Sequence, residues 1–91
     1  MQDQVVDKVM ASAIQADVAR VHPLLGWVVT QNPPQHPAAA FAARLITTGP
    51  TPYVLLAENL AALHAQLPEG LQRFERQPTD PPDVVEVWFP A

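Results

Sequence analysis

The apolar positions near the start of the chain predict a first helix. Between Val5 and Val21 apolar side chains recur at spacings of three, four and five residues, and the segment holds neither glycine nor proline. This spacing places apolar side chains on one broad side of a helix. The dipeptide His22-Pro23 ends the pattern, because proline pushes the preceding residue out of helical geometry. We therefore expect a helix over residues 3–21.

Residues 24–57 predict a meander of three strands. The first strand, 24–31, is rich in β-branched and aromatic residues, which suit a pleated surface. Three prolines in the run 32–37 exclude a central strand there and predict an exposed loop. The third strand is the apolar run 52–57, which follows a turn around Gly49-Pro50.

The segment 39–47 permits two interpretations. Its alanines favour a helix, whereas the alternation of Phe41, Ala43 and Leu45 with their neighbours favours a strand. A turn that joins two strands explains the following residues more simply than a helix that runs directly into a strand. We predict a strand, and a helix stays open as the alternative.

The last third of the chain predicts a short helix and a hairpin. Asn59 is a favourable cap residue, and apolar positions at helical spacing follow it up to Pro68-Glu69-Gly70. We therefore expect a helix over 59–67. Alternation then predicts a polar edge strand and an apolar final strand, which together form a hairpin over 71–89.

The predicted order α-β-β-β-α-β-β indicates an α+β fold. Two helices on one face of a mainly antiparallel sheet of about five strands form a stable two-layer sandwich. A chain of 91 residues, of which 48% are hydrophobic, supports one domain over 1–91. The opposite face of the sheet is then left to water or to a partner.

The charge of the chain narrows the range of functions. Only 15% of residues are charged, and the formal net charge is −4. Nucleic-acid binding needs clustered lysine and arginine, which one lysine, Lys8, and scattered arginines do not supply. Low charge also leaves apolar surface to be covered, most commonly by a second copy of the chain. We expect a protein partner, with a homodimer as the simplest case, and no direct contact with nucleic acid.

No pattern in the sequence is typical of export or of a membrane segment. Residues 1–8 lack a basic region followed by an apolar run. The apolar stretches are far shorter than the ~20 residues of a membrane span. The absence of cysteine excludes disulfides and thiolate chemistry and fits a reducing compartment. We expect an acidic cytoplasmic protein that does not contact membranes.

No motif predicts catalysis, a cofactor or a metal site. His22, His36 and His64 follow no metal-binding spacing, and we expect the first two to be turn or surface residues. Asp80 and Asp83 flank two prolines, as turn-forming residues do. The glycines are too scattered to form a phosphate-binding loop. We therefore expect no enzyme activity.

Three other features carry specific expectations. His64 lies on the inner side of the second helix, which predicts a buried and hydrogen-bonded imidazole. Gly26 within a strand predicts a bulge or a close approach, either by a neighbouring aromatic side chain or by a ligand. Arg73 or Arg76 opposite Glu86 predicts a cross-strand ion pair on a solvated face.

Trp88 is the leading candidate for a binding surface. In a regular strand Val84, Glu86 and Trp88 share one face, and Val87 lies on the other. If the helices cover the Val87 side, Trp88 points outward, where a tryptophan among few charges is typical of an interface. The predicted interface consists of Trp88, Glu86, Val84 and Trp27. Burial of Trp88 under the proline-rich loops is the alternative.

These observations favour a small, non-catalytic protein-interaction or regulatory domain that self-associates through a sheet face. The main alternative is a small-ligand-binding or enzymatic domain with a pocket near His64 or His36. A subunit that docks on a nucleic-acid-handling protein is also compatible with the small size and mild acidity.

Overall fold

Alternating strands and two capped helices form a two-layer α+β structure, which the computed structural model describes over residues 2–90. The elements are β1 (Gln4–Val5), α1 (Lys8–Ala19), β2 (Gly26–Gln31), β3 (Phe41–Ile46), β4 (Pro50–Ala57), α2 (Leu60–Gln66), β5 (Leu71–Glu75) and β6 (Val84–Pro90). The strand order is β1-β4-β3-β2-β6-β5, antiparallel except for the parallel pair of β1 and β4. The predicted fold class is confirmed.

The first helix is shorter than the predicted 3–21. Asp7 has extended backbone geometry, and its carboxylate accepts a hydrogen bond from the Met10 backbone at 2.9 Å, so the helix begins after it. The residues before it pair with the edge of β4 as the short strand β1, which the apolar spacing does not reveal. The helix ends at Ala19. Within residues 2–90 no helix is long and apolar enough to cross a membrane.

The segment with two interpretations forms strand β3, as predicted. β3 lies between β2 and β4 and pairs with both, so a helix there would leave two strands without their partner. The side-chain oxygen of Asn59 caps α2 by accepting from the Ala62 backbone at 2.8 Å. Gly70, with φ at 81°, then turns the chain into β5.

Different elements pack on the two faces of the sheet. On the helix face, Trp27, Leu45 and Leu55 pack with Leu63 of α2 and are completely buried. The indole nitrogen of Trp27 donates to the Gln15 side chain of α1 at 2.7 Å, which pairs the polar atom of this core residue. The outer face is covered in part by the proline-rich loop, residues 32–37. Four of its six residues are exposed, as predicted, but Pro33 is buried.

Trp88 lies on the helix face, so the prediction that it points outward is wrong. Its register partner is the buried Trp27, and residues paired across antiparallel strands share a face. Its ring also packs edge-on against His64 of α2, with 5.1 Å between ring centroids. Strand alternation shows which residues share a face, but it does not determine which of the two faces the helices cover.

A β-bulge accounts for the second error in the predicted interface. The register of β6 shifts between Val29 and Thr30, so Val84 pairs with Thr30 on the outer face. Val85 instead packs against the helix-face core. Because a bulge adds one residue to one strand, it breaks the alternation on which the prediction depended. Val84 therefore does not share a face with Glu86 and Trp88.

Candidate functional site

A buried carboxylate is the centre of one polar cluster on the helix face. Glu86 of β6 is only 1% exposed. One of its oxygens, Oε1, accepts from the Trp88 indole at 3.0 Å and is also bonded to Nε2 of His64. The other oxygen accepts from Arg73 of β5 at 3.2 Å. We call Glu86, His64, Arg73 and Trp88 the Glu86 cluster; it joins α2 to the C-terminal hairpin.

The pKa of Glu86 reflects two opposing effects. Burial disfavours the charged carboxylate and by itself raises the pKa. Hydrogen bonds from Trp88, His64 and Arg73 outweigh burial, so the pKa of Glu86 lies below its ordinary value. The carboxylate is therefore ionised at neutral pH and is paired with donors on both oxygens.

The structure confirms part of the expectation for these residues and corrects the rest. Arg73 does bond to Glu86, and His64 is hydrogen-bonded, as predicted, but the His64 side chain is 35% exposed and therefore not buried as expected. The ion pair is not on a solvated face, however, because the Glu86 carboxylate is sealed beneath His64 and Trp88. A carboxylate that orients an imidazole is also found in acid–base sites. Here both Glu86 oxygens bond to side chains of the chain itself, so the cluster connects α2 to the hairpin of β5 and β6.

A second polar cluster lies on the outer face. Arg44 of β3 binds Asp3 in a bidentate manner, with both nitrogen–oxygen distances at 2.8 Å. His36 of the proline-rich loop is bonded to the same carboxylate at 2.8 Å. Arg44 also donates to the Thr51 carbonyl of β4 at 2.8 Å. We call Asp3, His36 and Arg44 the Asp3 cluster; it ties the N-terminal segment and the loop to the sheet.

The Asp3 cluster could not be found from the sequence. The sequence predicts Asp3 in the first helix and His36 in a surface turn, and no local spacing connects Asp3 with residues that are 33 and 41 positions away. The hydrogen bonds from Arg44 and His36 hold the pKa of Asp3 far below its usual range, although burial acts in the opposite direction. These bonds therefore favour the ionised form of the Asp3 carboxylate.

The remaining outer face is an apolar surface. Leu24 is 82% exposed, Phe74 46% and Phe89 43%. The Phe74 and Phe89 rings contact each other edge-on, with 5.4 Å between centroids. A shallow cavity connects Phe89 with apolar residues of the neighbouring strands. We call this surface the outer patch; it comprises Leu24, Val28, Ile46, Phe74, Val87 and Phe89.

Gly26 lies next to the outer patch and explains how Phe89 is held. A Cβ atom at Gly26 would be 2.8 Å from the Phe89 ring and 3.2 Å from the Trp88 carbonyl oxygen. The close approach predicted for this glycine is therefore confirmed, and an aromatic side chain of the neighbouring strand makes it. The absence of a side chain at Gly26 lets the Phe89 ring lie against the backbone of β2.

The other residues singled out from the sequence lie in or near the core or in a turn. Of the predicted interface, Trp27, Glu86 and Val84 are buried within the chain, and Trp88 is partly buried. The Asp80 carboxylate accepts from the Gln77 backbone at 2.7 Å, as expected of a turn residue. Among residues 2–90 no three His, Cys, Asp or Glu side chains are grouped as metal ligands. No family model, curated protein or solved structure matches the chain.

Proposed function

We propose that the chain is a non-catalytic protein-interaction domain that self-associates through its outer patch. The observation that supports this most directly is the exposure of two contacting phenylalanines on a sheet face away from the helices. Aromatic side chains clustered on a surface are typical of binding sites, because their burial removes a large apolar area from water. The proposal therefore keeps the expected sheet-face interaction and moves it from Trp88 to Phe74 and Phe89.

The composition of the outer patch favours an apolar occupant. None of its six residues is charged, and the proline-rich loop and the Asp3 cluster border the sheet face beside it. Uncharged aromatic centres with polar surroundings are common in protein interfaces. A second copy of the chain carries an equally apolar surface, and closed twofold symmetry is the commonest arrangement for such a pair.

The chemistry of the chain supports the rest of the proposal. A net charge of −4 opposes binding to nucleic acid, and a chain without cysteine fits the reducing cytoplasm, where we expect it to act. No serine, cysteine or second carboxylate lies among the partners of Glu86 in the Glu86 cluster, which are His64, Arg73 and Trp88. We therefore propose a role in assembly.

Sedimentation velocity tests this function. We expect the wild-type chain to associate as its concentration rises from about 1 to 100 µM, and a Phe74→Ser/Phe89→Ser variant to remain monomeric, because interfaces depend on a few buried aromatic side chains. Val9→Ser is the matched control, since Val9 is an exposed apolar residue of α1 on the other side of the sheet. A wild-type chain that stays monomeric throughout would refute the proposal.

A second candidate function is binding of a small anion beside His36. A cavity of about 260 Å³ is bordered by His36, Arg44 and Thr30. The side chains of these three residues are polar groups of the kind that orient bound ligands. In the described structure Asp3 occupies the donors of His36 and Arg44. A titration of the Asp3→Asn variant with acetate or phosphate, followed by NMR, should shift Arg44 signals; unchanged spectra would exclude this candidate.

A further inference from the structure

Strand β5 forms one edge of the sheet and pairs on one side only. Among residues 2–90 its only strand partner is β6, with Phe74 opposite Val87 and Gln72 opposite Phe89. All of its residues except Leu71 are exposed. An edge strand has a row of backbone donors and acceptors without strand partners, and another strand can pair with them. The other edge, β1, is only two residues long.

The hydrogen-bond pattern shows which backbone groups of β5 point outward. Asn32 donates to Ala40 across the β2–β3 pair, so the even-numbered residues of β2 are directed to β3 and the odd-numbered ones, including Trp27, to β6. Trp88, the partner of Trp27, is then directed to β2 and its neighbour Val87 to β5, because successive residues alternate in direction.

The same alternation continues into β5. Phe74 is directed inward to its partner Val87, so the backbone N–H and C=O groups of Arg73 and Glu75 point to the open edge. A second strand could therefore hydrogen-bond to Arg73 and Glu75 without disturbing the pairing of β5 with β6. The side chains of these two residues have opposite charges.

We propose that β5 pairs antiparallel with β5 of a second copy of this chain, with Phe74 opposite Phe74 of the partner subunit. This deepens the proposed function and rests on it. Within one chain Arg73 contacts Glu86 at 3.2 Å and Glu75 at 3.7 Å. In this register Arg73 also lies opposite the partner's Glu75, and the symmetry of the dimer forms the same charge pair twice. Opposite charges at directly paired positions stabilise a sheet.

Charge also selects this register over its neighbours. A shift by two residues in one direction places Arg73 opposite Arg73 of the partner subunit, and in the other direction Glu75 opposite Glu75 of the partner subunit. Like charges directly opposite each other destabilise strand pairing. Charged residues on an edge usually discourage pairing with foreign strands. The order Arg73-Phe74-Glu75 discourages foreign partners and is complementary to itself.

The outer patch becomes continuous across the proposed dimer. Phe74 and Phe74 of the partner subunit form a non-hydrogen-bonded pair, in which side chains approach most closely. Because Phe74 already contacts Phe89, a row of four phenylalanine rings would cross the twofold axis. Edge pairing supplies the backbone bonds, and the row supplies apolar burial, which explains why the exposed aromatics lie beside this edge.

Substitutions at Gln72 test the register. In the proposed dimer Gln72 faces the partner's Arg76 on the outer face, and neither position contributes to the core. We expect Gln72→Glu to tighten the dimer about threefold to tenfold by adding two opposite-charge pairs, and Gln72→Lys to weaken it by a similar factor. Dissociation constants from sedimentation equilibrium measure both effects. Equal constants for the two variants would overturn the proposed register.

The variant Glu75→Pro tests the edge pairing itself. Glu75→Pro removes an outward N–H and leaves the β5–β6 bonds intact, so we expect a folded monomer, while Glu75→Gln keeps the N–H and still dimerises. If Glu75→Pro associates like Glu75→Gln while Phe74→Ser/Phe89→Ser does not, edge pairing is wrong and the proposed function stands. If the wild-type chain never associates, both are wrong. Circular dichroism checks the fold; should Glu75→Pro unfold, the Gln72 variants decide.

Discussion

The Glu86 cluster and the Asp3 cluster contain the same three kinds of ionisable group but arrange them differently. Each combines one carboxylate with one histidine and one arginine, and they lie on opposite faces of the sheet. Asp3 is held by a bidentate arginine with two bonds at 2.8 Å, whereas Glu86 has one arginine bond at 3.2 Å and depends also on Trp88 and His64. Glu86 therefore makes single bonds with three different side chains, whereas Arg44 alone supplies two of the bonds to Asp3.

The position of each carboxylate determines what its cluster holds in place. Glu86 is a buried residue of a strand in the interior of the sheet, so its partners connect α2 to the hairpin of β5 and β6. Asp3 precedes a two-residue edge strand, which can separate from the sheet without disrupting the core. We infer that the Glu86 cluster contributes to global stability and the Asp3 cluster to the attachment of an edge.

The largest expected effect is the loss of the buried carboxylate. Glu86→Ala should lower the free energy of unfolding by about 2–4 kcal/mol, because it leaves three donors without their acceptor and a gap beneath α2. Urea unfolding at low protein concentration measures this change. Glu58→Ala, at an exposed position, is the control and should change stability by less than about 0.5 kcal/mol. If Glu86→Ala lowered the free energy of unfolding as little as the control does, the inference that the Glu86 cluster contributes to global stability would be contradicted.

The two arginines provide the next comparison. Arg44→Ala should cost about 1–3 kcal/mol, since it breaks two bonds to Asp3 and one to Thr51. Arg73→Ala should cost a similar amount, because it removes the donor to Oε2 of the buried Glu86 carboxylate, although the Arg73 side chain itself is half exposed. Hydrogen exchange should also show that Arg44→Ala exposes the backbone of residues 4–6 before the rest of the sheet. If Arg44→Ala instead lowered the exchange protection of all strands equally, the idea that Arg44 holds only the N-terminal segment in place would be contradicted.

The local elements of the fold and one cross-strand pair, Arg73 with Glu86, were predictable from the sequence, whereas the other pairings between distant residues were not. The cap at Asn59, the strand at 39–47 and the close approach at Gly26 depend on neighbouring residues or on backbone geometry, and each appears in the structure. The direction of Trp88 depends on which face the helices cover, and the place of Val84 depends on a bulge. Neither is encoded in alternation along one strand.

The candidate binding surface shows the same limit. Phe74 was assigned to a polar edge strand, and its contact with Phe89 becomes visible only when β5 and β6 are placed in register. The Asp3 cluster likewise required the N-terminal segment to leave the predicted helix and pair with β4. Both findings come from contacts between segments, for which helical and strand periodicity give no information.

The smallest effect distinguishes the two clusters by their acid sensitivity. Both carboxylates have a pKa below the ordinary value when folded, so the unfolded chain takes up protons first as the pH falls, and stability is lost on acidification. For Glu86 the loss begins near its ordinary pKa of 4.5, and for Asp3 near 3.8. Glu86→Gln should flatten the stability profile in the upper part of this range and Asp3→Asn in the lower part, measured by urea unfolding between about pH 6 and pH 3. Profiles parallel to that of the wild-type chain would contradict these assignments.

Amide hydrogen exchange at two protein concentrations tests the central claim, that the edge and outer patch meet a second copy of the chain. At both concentrations the Gln72 and Phe74 amides should be protected, because they are directed to β6. The Arg73 and Glu75 amides should exchange freely in the dilute sample and become protected in the concentrated one. Free exchange of Arg73 and Glu75 at both concentrations, together with an unchanged molecular mass, would contradict the claim.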